Sequence, residues 1–139
     1  AARPGAYPAQ CAEFCGGPHA LMGLVVVAHA PAEFDALLAR RAQPAPPPTG
    51  RGAQVFAAAG CGACHTVRGT PANGLAGPDL THVGSRRTLG AGILPNSQGA
   101  LAGWIADSQA IKPGNRMPAY AVLNGPELRA LAAWLDGLK

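Results

Sequence analysis

The chain has 139 residues, and 11 Lys and Arg against 7 Asp and Glu give it a net charge of +4 at pH 7. Gly (19) and Pro (14) are abundant, and the 48% apolar content is mostly Ala, so large core side chains are few. The low net charge favours a folded chain of one or two small domains. Its longest apolar run, residues 20–30, is too short to span a membrane, and scattered basic residues with 5% aromatics give nucleic-acid binding no support.

The first region, residues 1–43, is predicted to form a strand followed by a helix. Residues 24–28 are a continuous, Val-rich run typical of a strand buried on both faces. Pro31 suits a first helical turn, after which Phe34, Leu37 and Leu38 share one face. One strand and one short helix cannot bury a core. We therefore expect most of this domain to lie upstream of residue 1, in a longer precursor.

Residues 44–50, with the sequence PAPPPTG, are predicted to link two domains. So many prolines exclude a helix or a central strand. The segment should be a semi-rigid extended spacer of roughly 20 Å, at about 3.1 Å per residue. The alternative is an ordinary surface loop within a single domain.

The third region, residues 51–139, is predicted to be all-α. Helices are expected at residues 52–59, around residues 101–105, and from Gly125 onwards, where Pro126 and Glu127 suit a helix start. Phe56 and Trp134 should form the contact between the first and last helices. The apolar stripe of the last helix comprises Leu128, Leu131, Ala132, Leu135 and Leu138, with Lys139 at its carboxyl end.

The strongest motif is Cys61-Gly62-Ala63-Cys64-His65. Cys-x-x-Cys-His is the attachment signature of c-type haem: two thiols form thioethers with the porphyrin, and the adjacent imidazole binds the iron. A thioredoxin-like redox pair is the competing interpretation. It requires a βαβ context, and none surrounds these residues.

Residues 112–120 resemble the segment before the last helix of class I cytochromes c, where a Met-Pro pair supplies the second axial ligand. The resemblance implies Met117 as that ligand. His82 is the rival for a bis-His site, but it lies close in sequence to His65, and a surface or supporting role suits it better. His/Met ligation fills both axial positions, so such a haem should transfer electrons and not bind oxygen.

The same resemblance extends to Gly77-Pro78-Asp79-Leu80. It implies that the Pro78 carbonyl accepts the Nδ1–H of His65 and fixes the imidazole. Arg86, Arg87 and Trp104 are candidates for binding the haem propionates. For the two arginines, the alternative is a solvated surface charge.

A second motif places Cys11, Cys15, His19 and Met22 within twelve residues. Thiolate and thioether sulfurs combined with imidazole are typical of copper sites that transfer electrons. Two thiolates can bridge two metal ions, and a mixed-valence pair spreads one electron over both. Such delocalisation keeps the structural change on reduction small.

This second motif resembles the copper loop of cytochrome c oxidase subunit II, which holds the dinuclear CuA centre. The resemblance implies that Cys11 and Cys15 bridge the coppers, that His19 and Met22 are terminal ligands, and that the backbone carbonyl of Glu13 is a further ligand. The family's site also needs a His upstream of the first Cys, and residues 1–10 contain none. The copper prediction therefore concerns the longer parent protein. His29, in the strand run, is interpreted as structural.

Together, the two motifs and the Pro-rich segment resemble subunit II of caa-type haem-copper oxidases. The implied fold is mixed: a carboxyl-terminal piece of a cupredoxin-like β-barrel (1–43), then a linker (44–50), then an all-α class I cytochrome c domain (51–139). The implied cofactors are covalent haem c and CuA. The implied function is to pass electrons from a cytochrome c or a quinol-oxidising complex through haem c and CuA to subunit I, which reduces oxygen. The implied location is the periplasmic face of the bacterial cytoplasmic membrane, anchored by upstream helices.

Two other functions remain open. Nitrous oxide reductases have a similar copper loop, some with a fused cytochrome, but typically have Trp where this chain has Glu13. A free soluble cytochrome c carrier, with residues 1–43 as a vestigial or partner-binding segment, is the alternative from a different class. In every case the metals supply the chemistry, and no side chain is predicted to act as an acid, base or nucleophile.

Overall fold

A computed structural model describes residues 2–139 of the chain. Five helices and four short strands are formed in this range. The helices are α1 (Pro31–Ala42), α2 (Gly50–Ala58), α3 (Gln98–Ala106), α4 (Ser108–Ile111) and α5 (Gly125–Asp136). The strands are β1 (Gly5–Gln10), β2 (Gly23–Ala28), β3 (Thr88–Leu89) and β4 (Leu94–Pro95). Within residues 2–139, none of the helices has the length and apolar character needed to cross a membrane.

Most of the buried core lies in residues 50–139, the cytochrome-like region. There α5 packs against both α2 and α3. Leu131 at its centre is only 1% exposed. The helices α2 and α5 approach closely at Gly52, because a Cβ there would overlap the Ala130 carbonyl and the Cβ of Trp134. The predicted contact between Phe56 and Trp134 is confirmed, with ring centroids 5.0 Å apart. The scarcity of large side chains is thus offset by close backbone approach.

The last helix starts as predicted but ends earlier. Asn124 and Glu127 form a reciprocal capping box that satisfies the first free N–H groups. The helix ends at Asp136, so Leu138 and Lys139 lie beyond it and the prediction that they continue the helix is wrong. Leu138 is nevertheless buried, at 2% exposure, because the chain folds back there and its carbonyl accepts a hydrogen bond from Gly84 N–H.

The prediction that residues 51–139 are all-α is only partly right, because β3 and β4 form a small antiparallel hairpin. Its turn spans residues 90–93, and Gly90, Ala91 and Gly92 in it all have positive φ. Ala91 has φ 64°, a left-handed conformation that costs a residue with a Cβ about 1–2 kcal/mol. The helix α4 was also not predicted.

In the first region, β1 pairs antiparallel with β2 in the register Gly5↔Ala28 to Gln10↔Gly23. The strand β2 was predicted, but its burial on both faces is wrong: Leu24 and Val26 are 52% and 53% exposed. Within residues 2–139, β2 pairs with β1 alone. The helix α1 forms with Pro31 in its first turn, yet Leu38 is 51% exposed. The strands β1 and β2 form a two-stranded sheet and no closed barrel within residues 2–139.

The Pro-rich segment packs against the cytochrome-like region and is not a free spacer. Residues 44–49 have neither helix nor strand, but Ala45 is buried and its N–H donates to the Arg68 carbonyl at 2.8 Å. The Arg68 guanidinium in turn donates to the carbonyls of Arg41 and Ala42. These carbonyls lie at the carboxyl end of α1, where a cation is favourable. The two regions are therefore joined by contacts as well as by the chain.

Candidate metal centres

The Cys-x-x-Cys-His motif follows α2 directly. Gly60, with φ 71°, ends the helix, and Cys61–Ala63 then form a single 3-10 turn. The N–H of His65 donates to the Cys61 carbonyl at 3.0 Å, which brings the imidazole back beside the two cysteines. Both thiols are free; Cys64 is exposed, whereas partial burial raises the pKa of the Cys61 thiol. Two thiols and an imidazole are thus presented by one compact turn.

The His65 ring is held in a single orientation. Its Nδ1 lies 2.8 Å from the carbonyl oxygen of Pro78. A carbonyl can only accept, so the ring proton lies on Nδ1 and the lone pair on Nε2 is left for a metal. Gly77 also lies against the ring: a Cβ there would be 2.5 Å from Cε1 and 2.7 Å from Nδ1. Gly77 N–H also donates to the Cys64 carbonyl at 2.7 Å, which ties this segment to the motif.

The segment that holds Pro78 is itself fixed through Asp79. Although desolvation raises the pKa of this carboxyl, hydrogen bonds from Thr81 and the charges of Arg68 and Arg86 outweigh it and lower the pKa overall. The Asp79 carboxylate accepts from Thr81 N–H at 2.7 Å, and its backbone carbonyl accepts from Arg86. Arg86, a propionate candidate, therefore has a partner in the protein here.

Met117 is held by hydrogen bonds at its backbone. Its carbonyl accepts from the Ser108 hydroxyl at 2.8 Å and from the Gln109 amide at 2.7 Å. Its N–H donates to the Asn115 side chain at 2.8 Å. The structure adds α4, whose Ser108 and Gln109 clamp Met117, as the feature that sequence reasoning missed.

The Met117 thioether accepts a hydrogen bond from the indole N–H of Trp104, at 3.2 Å. Trp104, a candidate for binding a haem propionate, therefore has its indole N–H on the thioether in this structure. Tyr120, three residues after Met117, lies near the cysteines of the motif: burial raises the pKa of its phenol, and the charges of Cys61 and Cys64 raise it further. Cys61, Met117 and Tyr120 are all partly buried against the same core.

These residues fit a c-type haem. Two free thiols, an imidazole with an available Nε2 and a clamped thioether are the donor types that this group needs. Partly buried side chains beside the core could cover a flat apolar group; they are Leu80, Leu94, Tyr120, Leu123 and Leu128. His82, the rival ligand, has its Nε2 3.0 Å from the Gln43 carbonyl, at the contact between the two regions.

The second motif forms a loop closed by the β1–β2 hairpin. Cys11 N–H donates to the Met22 carbonyl at 3.1 Å, directly after the last strand pair. Cys15 Sγ lies 3.6 Å from Cys11 Sγ, 3.7 Å from His19 Nδ1 and 3.1 Å from Met22 Sδ. The ligand atoms of Cys11, Cys15 and His19 lie within 4.8 Å of one another. The loop therefore brings all four predicted side chains together.

The remaining predicted ligand lies beside them: the Glu13 carbonyl accepts from the Cys11 thiol at 3.2 Å. The hydrogen bond with Cys11 is the largest of the causes that raise the pKa of the Cys15 thiol. Two thiols, a thioether, an imidazole and a carbonyl are donor groups that fit copper. His29 lies apart from this cluster, after β2, with its Nδ1 3.7 Å from Glu33 in α1.

Comparison with known proteins covers both regions. A family model described as Cytochrome c matches residues 50–139. The chain is 39% identical to cytochrome c oxidase subunit 2 of Alkalihalophilus pseudofirmus, over 98% of this chain and 40% of that protein. It is 32% identical to the protein of that name in Bacillus sp. PS3, over 97% of this chain and 40% of that protein. For Bacillus subtilis the values are 31%, 94% and 38%.

The chain spans about 40% of the length of these curated relatives. The family match includes the Cys-x-x-Cys-His turn, the Pro78 segment and the Met117 loop, and a cytochrome c domain implies haem c. With that match across most of the chain, the chain belongs to the cytochrome c family.

Proposed function

We propose that this chain is the electron-entry part of subunit II of a caa-type haem-copper oxidase. In this function an external donor reduces the haem of the cytochrome c domain, which reduces a CuA centre in the loop between β1 and β2. That centre then supplies subunit I, where oxygen is reduced. Haem c and the copper pair each supply a one-electron couple when bound, and the protein supplies position and tuning.

The observation that supports this function best is the presence of two converged donor sets in one chain. The cluster of Cys11, Cys15, His19 and Met22 is separate from the haem motif, and the similarity to oxidase subunits extends over both. A free cytochrome c carrier needs only the second set. The four side chains of the copper loop would have no role in it.

Each site residue then has a definite role. Cys61 and Cys64 would hold the haem covalently and His65 and Met117 would bind its iron, while the Pro78 carbonyl holds the His65 ring through Nδ1. Cys11 and Cys15 would hold the coppers, and His19, Met22 and the Glu13 carbonyl would complete the ligands that this chain supplies. A second His would come from another part of the parent protein.

The proposal also assigns partners and location. Subunit I is the acceptor, a cytochrome c or a quinol-oxidising complex is the donor, and the domains lie on the periplasmic face of the cytoplasmic membrane. The contacts among Ala45, Arg68 and the end of α1 hold the two regions together. A joined donor and acceptor replace a diffusional encounter by a local concentration in the mM range, roughly.

Rapid mixing tests this function in the subunit loaded with haem and copper. A one-electron donor such as hexaammineruthenium(II) is added, and the haem and copper absorption bands are followed separately. We expect the haem to be reduced first and the copper to be reduced as the haem is reoxidised. Cys15→Ser should abolish the copper signal and leave the haem reduced.

The alternatives give different results. A free carrier would show haem reduction but no copper signal in any preparation. A nitrous oxide reductase-like protein would show both signals but would transfer electrons to nitrous oxide and not to oxygen. Glu13 at the position where that family typically has Trp favours the oxidase.

A further inference from the structure

One peptide unit at the end of the copper loop, that of Met22 and Gly23, is hydrogen-bonded to the cytochrome c domain. The Met22 carbonyl accepts from Cys11 N–H at 3.1 Å, and the Gly23 N–H donates to the Ala91 carbonyl at 2.9 Å. One peptide unit therefore bonds to a copper-loop cysteine on one side and to the β3–β4 turn on the other.

This contact depends on the left-handed turn of residues 90–92. The positive φ of Ala91 belongs to the turn that aims its carbonyl at Gly23. The neighbouring Gly92 lies so close that a Cβ would be 3.0 Å from the carbonyl carbon of Gly23. Lys112, only 9% exposed, also holds the turn, because its Nζ donates a hydrogen bond to the Gly90 carbonyl at 3.1 Å.

The same turn lies against Trp104. A Cβ at Gly90 would be 2.8 Å from Cζ3 of the indole, so a glycine is needed for the ring to lie on this backbone. At its other end, the indole N–H donates to Met117 Sδ at 3.2 Å. Trp104 thus bridges the turn that touches the copper loop and the thioether expected to bind the haem iron.

We propose that these contacts form a connected route for electron transfer between the two centres. It leads from Met117 through the Trp104 indole and the Gly90–Ala91 backbone to the Met22–Gly23 peptide unit. One electron leaves the ferrous haem, which becomes ferric, and reduces the copper pair by one electron, with no bond formed or broken. This inference rests on the proposed function. Because tunnelling is faster through bonds and hydrogen bonds than through gaps, the route would raise the rate of transfer between the two centres, while their reduction potentials set its direction.

A pair of Gly→Ala variants tests the contact. Gly92→Ala places a Cβ against Gly23, whereas Gly50→Ala introduces alanine at a similar positive φ (80° against 86°) with no atom within 4 Å. In the haem- and copper-loaded protein, we expect Gly92→Ala to speed amide exchange at Gly23 and to slow haem-to-copper transfer several-fold after flash reduction of the haem. Gly50→Ala should change neither measurement.

Trp104→Phe tests the route if Gly92→Ala does not fold. It keeps an aromatic ring against Gly90 but removes the N–H donor to Met117 Sδ. We expect a lower haem reduction potential, unchanged exchange at Gly23 and several-fold slower transfer when compared at equal driving force. Wild-type transfer rates in both variants would overturn the route and leave the proposed function intact. No haem-to-copper transfer in the fully loaded wild type would overturn the proposed function, and the route with it.

Discussion

The two regions of this chain assemble their ligands in different ways. In residues 2–43, no residue of β1 or α1 is buried, whereas residues 50–139 enclose a core around Leu131. The four predicted copper ligands are nonetheless brought together, because they lie within twelve residues in a loop closed by Cys11 N–H and the Met22 carbonyl. The two predicted ligands of the haem iron, His65 and Met117, lie far apart in sequence, and each is held by hydrogen bonds within the cytochrome c domain. Local closure gathers the four side chains of the first set, whereas the second set depends on tertiary packing.

The largest expected effect is the loss of covalent haem when one of the two cysteine pairs is replaced and the other is kept. The double variant Cys61→Ala, Cys64→Ala should lose all covalent haem, because no thiol remains to form a thioether. Pyridine haemochrome analysis after acid–acetone extraction measures this. Cys11→Ala, Cys15→Ala is the matched control and should keep its haem. Loss of haem from the control would contradict the division into two independent sites.

The second prediction compares a buried leucine of the core with an exposed leucine of α1. Leu131→Ala removes a side chain at the centre of the core and should lower the free energy of unfolding by about 2–5 kcal/mol. Leu38→Ala, on the exposed face of α1, should change it by no more than about 0.5 kcal/mol. Urea unfolding of the haem-loaded protein measures both. Equal effects would mean that α1 packs as tightly as α5.

The third effect concerns backbone approach within the core. Gly52→Ala should destabilise the protein by about 1–3 kcal/mol, since its Cβ would overlap α5. Gly103→Ala in α3 has open space around the new Cβ and should stabilise by about 0.4–1 kcal/mol. Opposite signs in thermal unfolding are expected. A stabilised Gly52→Ala would show that α2 and α5 do not touch there.

The smallest expected effect is the pH dependence contributed by Asp79. Its folded-state pKa is lowered, so its contribution to stability is present above the unfolded pKa of about 3.9 and is lost as the pH falls through the folded value. Asp79→Asn should therefore reduce the loss of stability between neutral and acidic pH. The difference between unfolding curves measured at neutral pH and near pH 3, roughly, tests this. An unchanged difference would exclude the carboxylate as a contributor.

Features that depend on neighbouring residues could be predicted from the sequence, whereas contacts between residues far apart in the chain could not. The two ligand motifs, the capping of α5 and the Phe56–Trp134 contact depend on spacing or on strong amphipathic patterns, and they could be predicted. The strand β1 was missed because Gly5–Gln10 contains Pro8 and lacks alternation, which only an edge strand tolerates. The contact of Gly23 with Ala91 joins residues far apart in sequence, and the turn that forms it includes a left-handed alanine. No local pattern predicts either.

The most direct test of two metal centres in one chain is a combined absorption and electron paramagnetic resonance spectrum of the subunit, purified from membranes of cells supplied with copper. We expect covalent haem with the far-red band of sulfur-to-ferric-iron ligation. We also expect a copper signal whose hyperfine pattern shows one electron shared by two nuclei. Cys15→Ser should remove only the copper signal, and Met117→Ala only the far-red band. Covalent haem without any shared-electron copper signal in the wild-type subunit would contradict the account.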